Sequence, residues 1–211
     1  SKTKIRAQEL IGALLKERAE TGRIYIMNID HCNTHSSFKD KVYMSNLCQE
    51  ITLPTTPLDH IDDTKGEIAL CILSAINLGL IRDKDELEGL CDLSVRALDE
   101  IIDYQEYPIE AARISAESRR SLGIGYIGLA HFLAKNHVKY DDKEALTLVD
   151  EITEAFQYYL LKASNNLAVE KGKCEYFEMT KYSDGILPID TYKKDLDKIV
   201  KRKLSYDWKQ L

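Results

Sequence analysis

The sequence predicts an α/β fold that is rich in helix, and two observations favour it. Long segments carry apolar residues at helical spacing between recognisable helix ends. Between some of these lie short apolar or alternating segments that suit strands better than helices. The chain has 211 residues, enough for one sizeable domain or for part of a larger one.

Composition and charge exclude several classes of protein. Hydrophobic residues make up 44%, charged residues 30%, and the formal net charge is -6. No basic stretch is long enough to follow a phosphate backbone, so direct binding of nucleic acid is not expected. No apolar run reaches the roughly 18 residues of a membrane span, so no membrane contact is expected either.

The cysteines indicate a reducing compartment. They are odd in number, widely spaced and without C-x-x-C pairing, which argues against a secreted disulfide scaffold and favours the cytoplasm. Cys91 falls inside a predicted helix, where packing is its expected role. The five cysteines are Cys32, Cys48, Cys71, Cys91 and Cys174.

Six segments have the periodicity and end signals of helices. Gly22 ends the first, and Asp83 with Glu86 forms a capping box for the second. Asp141 opens the longest helix and Gly172 ends it. The predicted helices span residues 4–20, 83–103, 109–118, 129–135, 141–171 and 190–201.

Three short segments are predicted as strands, at residues 23–29, 47–53 and 68–73. The polar residues 30–37 read as a loop between the first two. His31, Cys32 and His35 in that loop are potential metal ligands. Their spacing matches none of the usual zinc patterns, so no metal site is predicted.

Residues 123–128 match the pattern G-x-G-x-x-G. A dinucleotide-binding loop needs a strand directly before this pattern, and the residues before it are polar. The glycines therefore favour close packing or a turn between helices over nucleotide binding.

An amide, a thiol and a carboxylate alternate at Asn46, Cys48 and Glu50. In an extended segment they would project from one face, with the outer Cα atoms about 13 Å apart and a sugar ring between them. A helix would fan them apart, so the chemistry requires an extended or tight-loop conformation. Because Glu50 disfavours a thiolate, Cys48 suits work as a neutral thiol or a sulfur radical.

Residues 45–51 resemble the active-site segment of the large (α) subunit of class I ribonucleotide reductase. The resemblance covers essentially the whole chain and is strongest to the aerobic enterobacterial and phage-type enzymes. It implies that residues 1–211 are a single segment of the catalytic ten-stranded α/β barrel, with parallel strands and a finger loop bearing Cys48. The other matching segments are 22–26, 28–35, 54–55, 70–79, 119–125 and 185–194.

The resemblance also implies an activity, the reduction of ribonucleoside diphosphates to deoxyribonucleotides for DNA replication. Cys48, oxidised to a thiyl radical, would abstract the 3′-hydrogen of the substrate. Glu50 would take the 3′-hydroxyl proton as general base, and Asn46 would hydrogen-bond the ribose hydroxyls. Leu47 and Gln49 would complete the substrate-binding segment.

Reductant and partners follow from the same resemblance. Cys71 matches one member of the redox-active cysteine pair, and the second member would lie upstream of residue 1. The segment itself would bind no cofactor. The family depends on the di-iron site and tyrosyl radical of the small subunit, and on thioredoxin or glutaredoxin as reductant.

Family large subunits are several times longer than this chain, and their allosteric domains have no counterpart in it. We therefore expect an excised or split-gene segment that is inactive without the remaining large-subunit segments. It would act in the cytoplasm, or in the host cytoplasm if a phage encodes it. Alone, it would leave strand edges and apolar helix faces uncovered.

Two other functions fit the residues without the resemblance. A thiol hydrolase would pair Cys48 with His31 or His35 and would predict rapid alkylation of Cys48 at neutral pH. A non-catalytic helical scaffold would use all the cysteines for packing.

Overall fold

The computed structural model describes residues 3–196, 198 and 203–211. Within these residues the chain forms seven α-helices and two β-strands. None of the described helices is both long and apolar enough to cross a membrane. In chain order the elements are α1 Ala7–Thr21, α2 Ile29–His35, β1 Ile72–Asn77, α3 Lys84–Tyr104, α4 Glu110–Arg119, β2 Leu122–Ile127, α5 Leu129–Lys135, α6 Lys143–Lys171 and α7 Pro188–Leu196.

The two strands form a parallel pair. Ile72 of β1 lies opposite Leu122 of β2, and Asn77 lies opposite Ile127. Parallel neighbours need a long crossover connection, which α3 and α4 provide. The helix α3 contacts both strands and α6.

The main apolar core lies between the strands, α3 and α6. Cys91 of α3 is fully buried in it, so its predicted packing role is confirmed. Burial, helped by the nearby carboxylate of Glu88, raises the pKa of the Cys91 thiol to about 12. The buried members of this core are Ile76, Leu78, Ile81, Leu87, Cys91, Ile152, Ala155 and Phe156.

Most predicted helix ends are confirmed. Gly22 ends α1 with φ of 67°, in the left-handed region that favours glycine. The Asp83 carboxylate accepts the Glu86 N–H at 2.8 Å, and the Glu86 carboxylate accepts the Arg82 N–H at 2.7 Å. The predicted start of α6 was wrong by one residue, because Asp142 rather than Asp141 occupies the N-cap position.

The last predicted helix, 190–201, begins earlier than expected, at Pro188 in α7. Residues 197 and 199–202 lie outside the described part of the chain, so the predicted end of this helix does too.

The first predicted strand was wrong. Residues 23–28 are non-helical but pair with no strand among the described residues. The polar loop predicted after them is also wrong, because Ile29–His35 forms α2. Within this helix two polar side chains bond one turn back: Asn33 Nδ2 donates to Ile29 O and Thr34 Oγ1 donates to Asp30 O, both at 2.9 Å.

The third predicted strand was displaced, since β1 begins at Ile72 rather than at residue 68. No strand was predicted in the glycine-rich segment, but it forms β2 rather than a turn between helices. The predicted close packing is confirmed at Gly123, where a Cβ would lie 2.5 Å from Leu73 Cδ2. The glycine pattern thus runs through a strand instead of following one, as a dinucleotide loop would require.

The apolar stripe of α1 is uncovered, as expected for the chain alone. The structure buries no residue of this helix. Leu10, Ile11 and Leu15 are 48%, 54% and 56% exposed.

Candidate active site

Residues 46–51 form a tight loop rather than the strand predicted for 47–53. The Asn46 N–H donates to Ile51 O and the Gln49 N–H donates to Asn46 O, each at 3.2 Å. Gln49 has φ of 63°, a left-handed conformation that a strand does not contain. The segment does not form a strand because the Asn46 side chain hydrogen-bonds the backbone of its own loop, which favours a turn over an extended conformation.

The side chain of Asn46 closes the loop a second time. Its Oδ1 accepts the Ile51 N–H at 3.1 Å, and its Nδ2 donates to Glu50 Oε1. The predicted spacing of about 13 Å with a sugar between the two side chains was therefore wrong. Asn46 and Glu50 touch each other, and the loop presents them as one polar unit.

Cys48 lies in the turn at the tip of this loop. Its side chain is exposed, and the neighbouring Leu47 is 85% exposed. Gln49 on the other side is half-buried. The thiol is therefore open to a substrate that approaches the loop from outside.

Cys71 lies directly before β1 and is half-buried. Burial raises the pKa of its thiol, and the carboxylate of Glu50 raises it further. Glu50 is thus close enough to act electrostatically on Cys71. Glu50, which Asn46 bonds, therefore lies near Cys71, a proximity that sequence spacing alone did not indicate.

The end of the loop rests on the strand pair. A Cβ placed on Gly123 would lie 3.7 Å from Ile51 Cδ1 as well as against Leu73. The absence of a side chain at Gly123 makes room for both apolar residues. A little further on, Pro54 is fully buried and fixes the outgoing chain.

Sequence reasoning gave no role to Ser121, which lies beside Cys71. The Ile72 N–H donates to Ser121 O at 3.3 Å, and both Ser121 and Cys71 line one small hollow. The Ser121 hydroxyl is buried and has no hydrogen-bond partner among the described residues. Only the pairing of β1 with β2 reveals that Ser121 lies beside Cys71.

Sequence reasoning also gave no role to Arg119, whose guanidinium binds the carboxylates of Asp40 and Glu67. These three residues are far apart in the sequence and no motif links them.

The residues of the hydrolase alternative are placed elsewhere. The His35 ring stacks on Tyr192 of α7 with ring centroids 4.1 Å apart. Within the described part of the chain neither His31 nor His35 bonds to Cys48. The described residues likewise contain no group of three or more His, Cys, Asp or Glu side chains that could hold a metal ion.

Parallel strands joined through helices are the repeating unit of α/β sheets and barrels. The chain belongs to the family described as ribonucleotide reductase, barrel domain, whose model matches residues 1–211. The helix-rich fold with a partial sheet agrees with that family and confirms the predicted fold class.

Named relatives agree with this assignment. The chain is 59% identical to ribonucleoside-diphosphate reductase subunit alpha of Haemophilus influenzae, over 100% of this chain and 28% of the relative. The same shares hold for ribonucleoside-diphosphate reductase 1 subunit alpha of Escherichia coli at 57% identity and for ribonucleoside-diphosphate reductase subunit alpha of Enterobacteria phage T4 at 43%. The chain thus spans 28% of the length of these curated relatives.

A solved structure shows the same fold. The class Id ribonucleotide reductase alpha subunit of Actinobacillus ureae matches with a TM-score of 0.70 and 28% identity. The match covers 81% of this chain and 33% of that one.

Proposed function

We propose that this chain supplies the catalytic loop of a ribonucleoside-diphosphate reductase large subunit. The family and the named relatives support the reaction class. The observation that carries the assignment of residues is the joint placement of Asn46, Glu50 and Cys71, with Cys48 exposed at the tip of the same loop.

The reaction divides among these residues as follows. Cys48, as a sulfur radical, takes the 3′-hydrogen of the ribose, and Glu50 accepts the proton of the 3′-hydroxyl. The 2′-hydroxyl takes one proton from the thiol pair formed by Cys71 and a second cysteine, and it leaves as water. The pair also supplies two electrons and its second proton, which goes to C2′, and closes a disulfide. Glu50 then returns its proton to the 3′-oxygen, and Cys48 returns the hydrogen to C3′.

The environment of each group suits that division. Glu50 already accepts a hydrogen bond from Asn46, so a ribose hydroxyl can enter a preformed donor and acceptor pair. The raised pKa of Cys71 keeps its thiol protonated near neutral pH, as a donor of both protons and electrons requires. Leu47 and Gln49 flank the thiol and line the approach of the substrate.

The reaction needs partners that the chain does not contain. The radical comes from the di-iron site and tyrosyl radical of a small subunit, and thioredoxin or glutaredoxin restores the thiols. The remaining segments of the large subunit complete the barrel and supply the second redox cysteine and the allosteric domains. The cytoplasm, where thiols stay reduced, is the compartment that this chemistry requires.

Substitution of single cysteines in the complete reductase tests the assignment. Cys48→Ser and Cys71→Ser should each abolish thiol-dependent turnover of a ribonucleoside diphosphate. Cys174→Ser is the matched control, because Cys174 is half-buried like Cys71 and burial likewise raises its pKa. Retained turnover in Cys48→Ser, with the control behaving as the wild type, would sink the proposal.

A further inference from the structure

A single guanidinium joins two carboxylates beneath the active-site loop. Arg119, the last residue of α4, donates from Nε to Glu67 Oε2 at 2.6 Å and from Nη2 to Glu67 Oε1 at 3.0 Å. The same Nη2 donates to Asp40 Oδ2 at 2.9 Å. The side chain of Arg119 is 3% exposed, against 8% for Glu67 and 31% for Asp40.

The surroundings fix this guanidinium in place. The rings of Phe38 and Tyr176 lie 5.7 and 5.2 Å from its central carbon, within the range of cation–π attraction. Burial alone would lower the pKa of Arg119, but hydrogen bonds to Glu67 and Asp40 hold it above its ordinary value. Loss of the guanidinium would leave the buried carboxylate of Glu67, among the described residues, with no cation beside it and only the Thr56 hydroxyl, at 3.4 Å, as a hydrogen-bond donor.

The two carboxylates lie on opposite arms of the loop. Asp40 precedes the loop of residues 46–51, and Glu67 follows it on the way to Cys71. Glu67 is also tied to the outgoing arm, because its backbone exchanges hydrogen bonds with Thr56 at 3.0 and 3.2 Å. One side chain of α4 therefore fastens both arms to the helical framework.

The neighbouring arginine has a different task. Arg120 bonds to the carboxylates of Asp99 and Asp103, both on α3. It joins helix to helix and binds neither arm of the loop. Arg120 therefore offers a matched control, with a similar charge, two carboxylate partners and the next position in the chain.

We propose that Arg119 is a positioning residue that sets the Cys48 loop against Cys71. It does not touch the substrate. Its release would let the two arms separate, move Glu50 away from Cys71 and uncover the Cys71 thiol. The effect on turnover rests on the proposed function, whereas the placement of the loop does not.

Alkylation rates test the placement directly. The complete reductase is reduced, treated with iodoacetamide and analysed by mass spectrometry for the peptides of Cys48 and Cys71. Arg119→Gln should raise the Cys71 rate about tenfold through local opening, whereas the rate of the already exposed Cys48 should change less than about twofold. Arg120→Gln should leave the ratio of the two rates at its wild-type value.

The conservative variant sharpens the test. Arg119→Lys keeps the charge but loses the forked guanidinium that reaches both carboxylates. Its ratio of Cys71 to Cys48 alkylation rates should therefore lie between the ratios of the wild type and Arg119→Gln. In turnover assays Arg119→Lys should lower kcat and leave KM unchanged, because the misplaced groups act on bound substrate.

Equal rises in Arg119→Gln and Arg120→Gln would overturn the proposal, and so would an unchanged ratio in Arg119→Gln. If Arg119→Gln does not fold, Asp40→Asn removes only the more exposed carboxylate. It should give a smaller rise confined to Cys71, and no rise would overturn the proposal. A shifted ratio together with retained turnover in Cys48→Ser would refute the proposed function while the positioning role stands.

Discussion

The chain contains two regions that are held together in different ways. From residue 72 to residue 171, strand pairing, long helices and an apolar core determine the structure. From residue 23 to residue 71, α2 is the one regular element described. Polar side chains, short backbone bridges and a few buried residues such as Pro54 hold the rest. Asn33, for example, donates to Val42 O at 2.9 Å and accepts the Val42 N–H at 2.8 Å.

The proposed chemistry lies in the region with less regular structure. Asn46 closes the active-site loop and Arg119 fastens its arms, whereas the framework distributes its stability over many apolar contacts. Substitutions in the loop region should therefore change activity more than stability. Substitutions in the framework should do the reverse.

Among substitutions that keep both cysteines, the largest expected effect on activity is that of Glu50→Gln. The amide cannot accept the 3′-hydroxyl proton, so turnover in the complete reductase should fall about 10²- to 10⁴-fold. The unfolding transition should stay near that of the wild type, since the side chain is exposed. A variant that is destabilised but fully active would reverse the comparison between the two regions.

The framework should respond to Leu87→Ala. Leu87 of α3 is fully buried, so its truncation should cost about 3–5 kcal/mol in the free energy of unfolding. Urea unfolding, monitored by circular dichroism, measures this loss in the free energy of unfolding. Leu10→Ala in α1 is the control, because Leu10 is 48% exposed and should stay within about 0.5 kcal/mol.

The smallest expected effect is that of Gly123→Ala, at the contact between the two regions. The new Cβ would press on Leu73 and narrow the space of Ile51, so turnover should fall a few-fold with a stability loss below about 1 kcal/mol. Gly125→Ala on the same strand meets nothing within 4 Å and should match the wild type in both measurements. Equal effects of the two variants would show that Gly123 does not support the loop.

The comparison also explains what the sequence could predict. Helices such as α3 and α5 depend on local periodicity and end signals, and their predicted bounds agree with the structure within about one residue. The strands depend on partners distant in sequence. Residues 122–127 form β2 because β1 lies beside them and Gly123 lets Leu73 pack, a condition that local propensity does not contain.

In the site, the sequence predicted which residues matter but not how they are arranged. The motif identified Asn46, Cys48 and Glu50 as candidates, and their roles stay predictions. Their geometry was not predictable, because the bond of Asn46 to Glu50 replaced the extended arrangement. Residues 119–125 matched the family in sequence, but the contacts of Arg119 and Ser121 depend on tertiary structure and could not be predicted from that match.

All the proposed residue roles depend on Glu50 and Cys71 belonging to one site. The pH dependence of Cys71 alkylation in the reduced complete reductase measures this directly. Burial and Glu50 together should hold the apparent pKa of Cys71 above that of an ordinary thiol, and Glu50→Gln should lower it by removing the negative charge. An identical pH profile in the wild type and Glu50→Gln would contradict the account.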